Sequence, residues 1–427
     1  MTTSSDSVDI RRHAGWLPEQ GDLEDWLAEL CQRVESRGEQ PLHPVVAEFK
    51  DLIDVDPLVR MYLNEMISQV PKNRRYEKRY VQDVPHLLAL INEVMTMAPQ
   101  FGDSMVMTPL GAILDWTMST PAGFAAYRDR RINAMLKKLL NAWCEFLDSP
   151  ASLSVLNDSP TGWMSEAARS TIKIEQFEHD PDQEHWGFRS WNDFFTRRFK
   201  EDARPVAAPE DESVIVSACE SKPYGISVNV QKQDRFWIKN QPYSLQDMLA
   251  NDESVEEFVG GTVYQAFLSA TNYHRWHSPV AGKIVKAFNV EGTYYSEADS
   301  EGAAAAEPAI SQSYLAHVAT RAIILIEADN PKIGLMAVVE VGMADVSSCV
   351  IRPGLRPGSH VTKGEELGHF QFGGSTYCLV FRPGVVADFA VDAVPQPHDP
   401  AAPQVLVRSK LATVRDEPHE EHPAHQH

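Results

Sequence analysis

The hydrophobic period of this 427-residue chain changes once along its length, and that change limits the folds open to it. From about Trp16 to Arg169 apolar residues recur at helical spacing. Ile132, Met135, Leu136, Leu139, Leu140, Trp143 and Leu147 form one stripe, expected to be core. The basic residues of 129–138 fall on the other face of that helix and read as solvated surface. After Val206 short Val- and Ile-rich runs (214–216, 224–230, 282–288, 322–327 and 334–341) are separated by Gly, Pro and Asn, as expected for a mostly antiparallel β structure. The expected class is α+β. A helical N-terminal domain (1–180) precedes a β-rich domain (181–414) and an acidic, His-rich tail (415–427) expected to be disordered. The polar stretch 178–185 places the boundary near Asp180. The Ala-rich stretch 296–308 reads most simply as a disordered insert, and functionally as a lid.

With 43% hydrophobic and 23% charged residues the chain has the make-up of an ordinary globular protein. A formal charge of −21 argues against nucleic acid as a partner, because phosphate binding needs clustered Lys and Arg. It also weakens docking on anionic lipid. No apolar run approaches the ~20 residues of a membrane span. Met1-Thr-Thr-Ser-Ser-Asp6 shows no basic region followed by an apolar one, so no membrane insertion and a cytoplasmic location are expected. Five cysteines, odd in number and without CxxC pairs, suggest reduced thiols and no metal site. His179 and His185, in an acidic loop, are expected to be loop residues and not ligands.

Three stretches of the β-rich half carry chemistry: Val216-Ser-Ala-Cys-Glu-Ser221, Tyr273-His-Arg-Trp-His-Ser-Pro-Val280 and Phe372-Gly-Gly-Ser-Thr-Tyr377. Each alone is weak, since Gly-Gly-Ser-Thr also makes turns. Together they supply an acid, two histidines and a hydroxyl. Glycines before a serine allow backbone angles that bend the hydroxyl toward the preceding carbonyl. A serine needs a base, and a base is commonly oriented by a carboxylate, so Ser375, His277 and Glu220 form the candidate set. Cys219 and Cys378 flank it. Cys378, an odd number of positions from Ser375, should face the other side of the strand, and both thiols are expected to be small core residues.

These stretches resemble the phosphatidylserine decarboxylase family, from about Phe188 to Phe381. The likeness includes Trp191-Asn-Asp-Phe-Phe-Thr-Arg-Arg198, the His-Arg-x-His-x-Pro motif from His274 to Pro279, and Val361-Thr-Lys-Gly-Glu-Glu-Leu-Gly-His-Phe370 leading into Gly373-Gly-Ser-Thr376. In the helical half Gly15-Trp-Leu17, Glu48-Phe-Lys50, Pro121-Ala-Gly-Phe-Ala125 and Gly162-Trp-Met164 resemble an extra domain of the soluble tryptophan-decarboxylating branch. Glu220, where the lipid enzymes usually carry Asp, and Gly373, where they carry Leu, point to the same branch.

The resemblance implies that Ser375, activated by His277 held by Glu220, attacks Gly374. The chain is then cut at 374/375 and Ser375 becomes a covalent pyruvoyl group, with no pyridoxal phosphate or metal. His274 is the implied proton donor in turnover, with a structural hydrogen bond as its plainer role. The implied activity is that of a carboxy-lyase releasing CO2 from a free aromatic L-amino acid, tryptophan foremost. Its partners are then a small amino-acid substrate and its own cleaved fragment. The alternative is phosphatidylserine decarboxylation to phosphatidylethanolamine. A third reading, a biotinyl- or lipoyl-like carrier module, rests on the hairpin-like runs 350–354 and 361–368, and such modules display a lysine at a turn. The sequence leaves oligomeric state open.

Overall fold

The computed structural model describes residues 20–70, 80–102, 105–118, 120–234, 243–296, 312–345, 348–372, 375–396 and 403–416. Helices occupy Gln20–Arg37, Pro44–Val55, Pro57–Gln69, Val84–Val94, Pro109–Met118, Pro121–Ala126, Arg130–Leu147 and Glu166–Ile172. Their starts follow from local chemistry. Asp56 Oδ1 accepts from Leu58 and Val59 N–H at 2.9 and 3.2 Å ahead of a first-turn proline, and Asp129 likewise caps Arg130–Leu147. All seven residues of the expected stripe on Arg130–Leu147 are buried. Each contributes about 1.5–3 kcal/mol at most by leaving water.

Among the described residues the β-rich half has thirteen strands: β1 Val214–Val216, β2 Lys222–Val228, β3 Thr262–Leu268, β4 Arg275–His277, β5 Gly282–Val290, β6 Arg321–Ala328, β7 Leu335–Gly342, β8 Ser348–Ile351, β9 His360–Val361, β10 Glu366–Gln371, β11 Ser375–Phe381, β12 Val386–Phe389 and β13 Lys410–Val414. They form a seven-stranded sheet, β2-β3-β11-β7-β6-β5-β9, and two three-stranded sheets, β4-β10-β8 and β1-β13-β12. Every pairing between these strands is antiparallel. The α+β class expected from the period change is the observed one. β11 lies inside the large sheet, paired with β3 and β7. Tyr377, Leu379 and Phe381 point into one apolar core, and Cys378 and Val380 into another.

The helical core does not stop at Asp180. It takes in Trp191, Phe194 and Phe195 of the helix Trp191–Phe195, and also Ala270, Tyr273, Tyr294, Tyr295, Phe372 and Val407. Asp345 adds a polar tie between the two halves. Its carboxylate accepts from Leu110 and Gly111 N–H at 3.0 and 2.7 Å, satisfying the start of Pro109–Met118, and from Tyr295 Oη–H at 2.6 Å. Apart from Ser296, Arg415 and Asp416, the expected insert 296–308 and tail 415–427 lie outside the described residues.

Candidate active site

Ser375 opens β11, with Leu268 of β3 and Gly342 of β7 as its cross-strand partners. Its side chain is fully buried, and among the described residues its Oγ makes no hydrogen bond. A buried hydroxyl without a partner is costly in a purely structural role, so this position fits the precursor of a covalent group. The next residue is pinned from the other face. Thr376 Oγ1 lies 2.9 Å from both Ala266 O and Gln312 Oε1, and accepts from Gln265 Nε2 at 3.1 Å. Gly373 and Gly374, including the carbonyl expected to be attacked, lie outside the described residues.

His277 ends β4, with its N–H on Ala218 O at 2.9 Å. Its Nδ1 lies 2.8 Å from Gly364 O, and its Nε2 2.8 Å from Tyr273 Oη. A carbonyl only accepts, so Nδ1 carries the hydrogen and Nε2 accepts from Tyr273. Nε2 is therefore the basic atom. Burial, helped by the Arg408 guanidinium, pushes His277 down to about 3.

The structure does not bring Glu220 to His277. Arg204 grips that carboxylate, with Nη2 2.5 Å from Oε1 and Nε 3.2 and 3.1 Å from the two oxygens, and Val407 N–H donates to Oε2 at 2.9 Å. A guanidinium in this fork geometry outcompetes an imidazole N–H for a carboxylate. The orienting group for His277 is instead the Gly364 carbonyl. Arg408 shares that oxygen through Nε at 2.9 Å, and its Nη1 lies 3.4 Å from Arg204 O. Glu220 thus braces the wall behind His277 at one remove. Tyr273 went unrecognised as a functional residue although it stands beside His274. Only its position four residues before His277 signalled it.

His274 is fully buried, and its carbonyl accepts from Phe370 N–H at 2.9 Å. Its ring stacks on Phe195, with centroids 4.2 Å apart. Burial first, then Arg197, push its pKa down to about 3. Phe195 also meets Phe372 edge-on at 4.7 Å, and Phe372 packs against Trp143 at 5.2 Å and Trp191 at 5.8 Å. The residue just before Gly373 is therefore seated in an aromatic wall built partly from the helical half.

Cys219 Sγ lies 3.7 Å from both oxygens of Glu340, a wholly buried acid whose pKa burial raises, so this thiol faces a carboxyl and not a base. Both flanking thiols are core residues, as expected. At the turn where a carrier would display its lysine this chain has Gly373-Gly374-Ser375, which disfavours the carrier reading. Lys363, upstream of it, is 8% exposed and donates to Ala208 O and Asp211 O at 2.8 and 2.6 Å. His179 and His185 bond to the carbonyls of Phe177 and Leu156.

Two family models match, both described as phosphatidylserine decarboxylase, one over residues 191–398 and one over 43–172. Decarboxylase iboD of Amanita muscaria is 41% identical over 68% of this chain and 88% of its own length. The chain belongs to the phosphatidylserine decarboxylase family. It is a decarboxylase, and the second match places residues of its helical half within the family too. L-tryptophan decarboxylases of Psilocybe cubensis and Psilocybe cyanescens are 35% and 36% identical over 87% and 90% of this chain, and 88% and 91% of theirs. Further members that align over less of the chain are named phosphatidylserine decarboxylase proenzymes. Among the described residues no helix is long and apolar enough to cross a membrane.

The state of His277 sets the pH dependence of any step in which Nε2 takes a proton. An ordinary imidazole, titrating near 6.5, would be mostly protonated at pH 5 and the step would slow about 30-fold. With a pKa of about 3, His277 is already neutral at pH 5. Chain cleavage that uses Nε2 as its base is therefore expected to run at nearly constant rate from about pH 5 to 8. Freshly translated chain, shifted to each pH and sampled on denaturing gels, checks this. A rate that falls tenfold or more below pH 6.5 contradicts the buried, neutral state.

Proposed function

We propose that the protein cuts itself between Gly374 and Ser375, carries a pyruvoyl group made from Ser375, and decarboxylates a free aromatic L-amino acid, tryptophan foremost. The observation that carries this reading is the buried Ser375 Oγ, without a hydrogen bond among the described residues, at the head of an interior strand, three residues beyond the aromatic wall around Phe372. The similarity to the two Psilocybe enzymes along most of the chain supports the substrate.

In self-cleavage Ser375 Oγ attacks the Gly374 carbonyl carbon while its proton passes to His277 Nε2, Tyr273 Oη first releasing that nitrogen. The Gly374–Ser375 amide bond breaks to an ester, leaving a free amine on residue 375. Loss of the α-proton and of the ester oxygen gives dehydroalanine and a Gly374 carboxylate. Tautomerisation and hydrolysis then yield a ketone and ammonia. β11 begins at the cut and keeps both ladders, to β3 and to β7, so the fragment 375–427 is expected to stay as the second subunit. The residues propose a division of the chain at about Asp180, with 181–414 holding the catalytic groups and a cytoplasmic setting for the whole.

The pyruvoyl group, when formed, supplies a ketone for the substrate amine and an amide carbonyl that takes up the electron pair left by CO2. The chain's own residues supply the rest. Trp143, Trp191, Phe195 and Phe372 form an apolar surface that excludes water and favours an aromatic side chain at ~25 cal/mol per Å2 buried. His274, beneath Phe195, is the group proposed to hand a proton to the substrate α-carbon.

Release of CO2 from tryptophan, tyrosine, phenylalanine and dispersed phosphatidylserine at matched concentrations tests the substrate. Tryptophan is expected to exceed the lipid by about 100-fold or more in kcat/KM. Faster turnover of the lipid, or saturable binding to phosphatidylserine vesicles with no amino-acid turnover, would reverse the assignment in favour of phosphatidylethanolamine synthesis.

A further inference from the structure

Arg197 leaves the helix Trp191–Phe195 and turns inward, and it is only 4% exposed. Its Nη2 donates to Thr271 O at 2.7 Å and its Nη1 to Phe194 O at 3.4 Å, while its Nε, also buried, has no hydrogen-bond partner among the described residues. The guanidinium carbon sits over the Phe177 ring at 4.4 Å and the Phe194 ring at 5.1 Å. No carboxylate faces it among the described residues, and burial alone pulls its pKa down to about 9. Other guanidiniums in this half are matched. Arg204 holds Glu220, Arg275 holds Glu366, and Arg321 donates to three backbone carbonyls.

A buried cation without a counter-ion is a standing cost unless something else supplies the negative charge. The place of Arg197 says what that would be. Thr271, its anchor, lies three residues beyond Leu268, the cross-strand partner of Ser375, a span of at most about 11 Å of chain. His274, three residues further on, is close enough for Arg197 to depress its pKa. The donor thus sits beside the proposed proton donor, anchored on the segment that runs from the cross-strand partner of the reacting residue to His274.

We propose that Arg197 binds the carboxylate of the substrate's α-amino-acid head, through Nε. This rests on the decarboxylase reading above and names the group that recognises the bond to be broken. Negative charge leaves the carboxylate as CO2 forms, so the ion pair is stronger in the bound substrate than in the transition state. Arg197 therefore lowers KM without raising kcat, and its removal should leave kcat unchanged or modestly higher.

The test uses processed protein and two unreactive or product-like probes: indole-3-propionate, with a carboxylate and no amine, and tryptamine, with an amine and no carboxylate. By calorimetry, Arg197→Met is expected to weaken indole-3-propionate by about tenfold or more, with tryptamine held within about twofold. The KM for tryptophan should rise by a similar factor with kcat within about threefold. Arg197→Gln, which retains a donor toward Thr271 O, gives the same contrast if the methionine variant does not fold. Equal weakening of both probes in the variant that folds would make Arg197 a structural residue and overturn the proposal, as would no weakening of either. Should the wild-type protein turn over only phosphatidylserine, the amino-acid reading fails. Short-chain phosphatidylserine and phosphatidylethanolamine then become the probe pair, and loss of discrimination between them in the Arg197 variant still decides the matter.

Discussion

Replacing Ser375 with alanine yields a single uncut chain with no decarboxylase activity, because the hydroxyl that attacks Gly374 and the atoms that become the ketone are both removed. The loss should be complete to the detection limit, at least about 10^4-fold, since no other group can serve as electron sink. Folding should be little affected. Ser375 Oγ makes no hydrogen bond among the described residues, and the β11 ladder uses only backbone groups. A denaturing gel and intact mass check the cut, and thermal melting checks the fold. Two fragments of normal size from the alanine variant would refute the cleavage site.

His277→Ala and His274→Ala separate the two proposed proton transfers. The first should leave the chain uncut, because Nε2 of His277 is the only imidazole atom proposed to serve Ser375. It also strips the buried Tyr273 Oη of its partner, at about 1–3 kcal/mol, while Gly364 O keeps Arg408 Nε, so its melting temperature should fall as well. The second should be cut normally and lose about 10^2- to 10^4-fold in kcat, because its proposed role is to hand a proton to the substrate and not to serve Ser375. A His274 variant that is cut and fully active would remove it from the mechanism. A His277 variant that is cut at the normal rate would move the base elsewhere, Tyr273 being the next group in line.

Much of this site could be read from the chain in one dimension. The alternation along β11 was set by residue order alone, so placing Cys378 opposite Ser375 needed no coordinates. The stripe on Arg130–Leu147 was legible for the same reason. Glu220 was the misreading. A carboxylate near a Ser–His pair suggested an orienting role, yet Arg204, sixteen residues before it, claims the carboxylate in space. Sequence shows that an acid, a base and a guanidinium are present, not which two will pair when all three are buried together. Arg197 was hidden likewise. Within Trp191-Asn-Asp-Phe-Phe-Thr-Arg-Arg198 nothing distinguishes the arginine that turns inward from Arg198, which pairs with Glu366 at the surface.

The sequence by itself determined the helical and β-rich halves, the strand that presents Ser375 and the motif residues, because hydrophobic period and side-chain alternation are local properties of the chain. Only the tertiary structure decided that His277 is oriented by a backbone carbonyl and capped by Tyr273, that Phe372 is seated among Trp143, Trp191 and Phe195, and that Arg197 is left with a donor unused among the described residues. Those outcomes depend on competition among polar groups far apart in sequence for a few buried partners, and on which apolar surfaces remain to close over them.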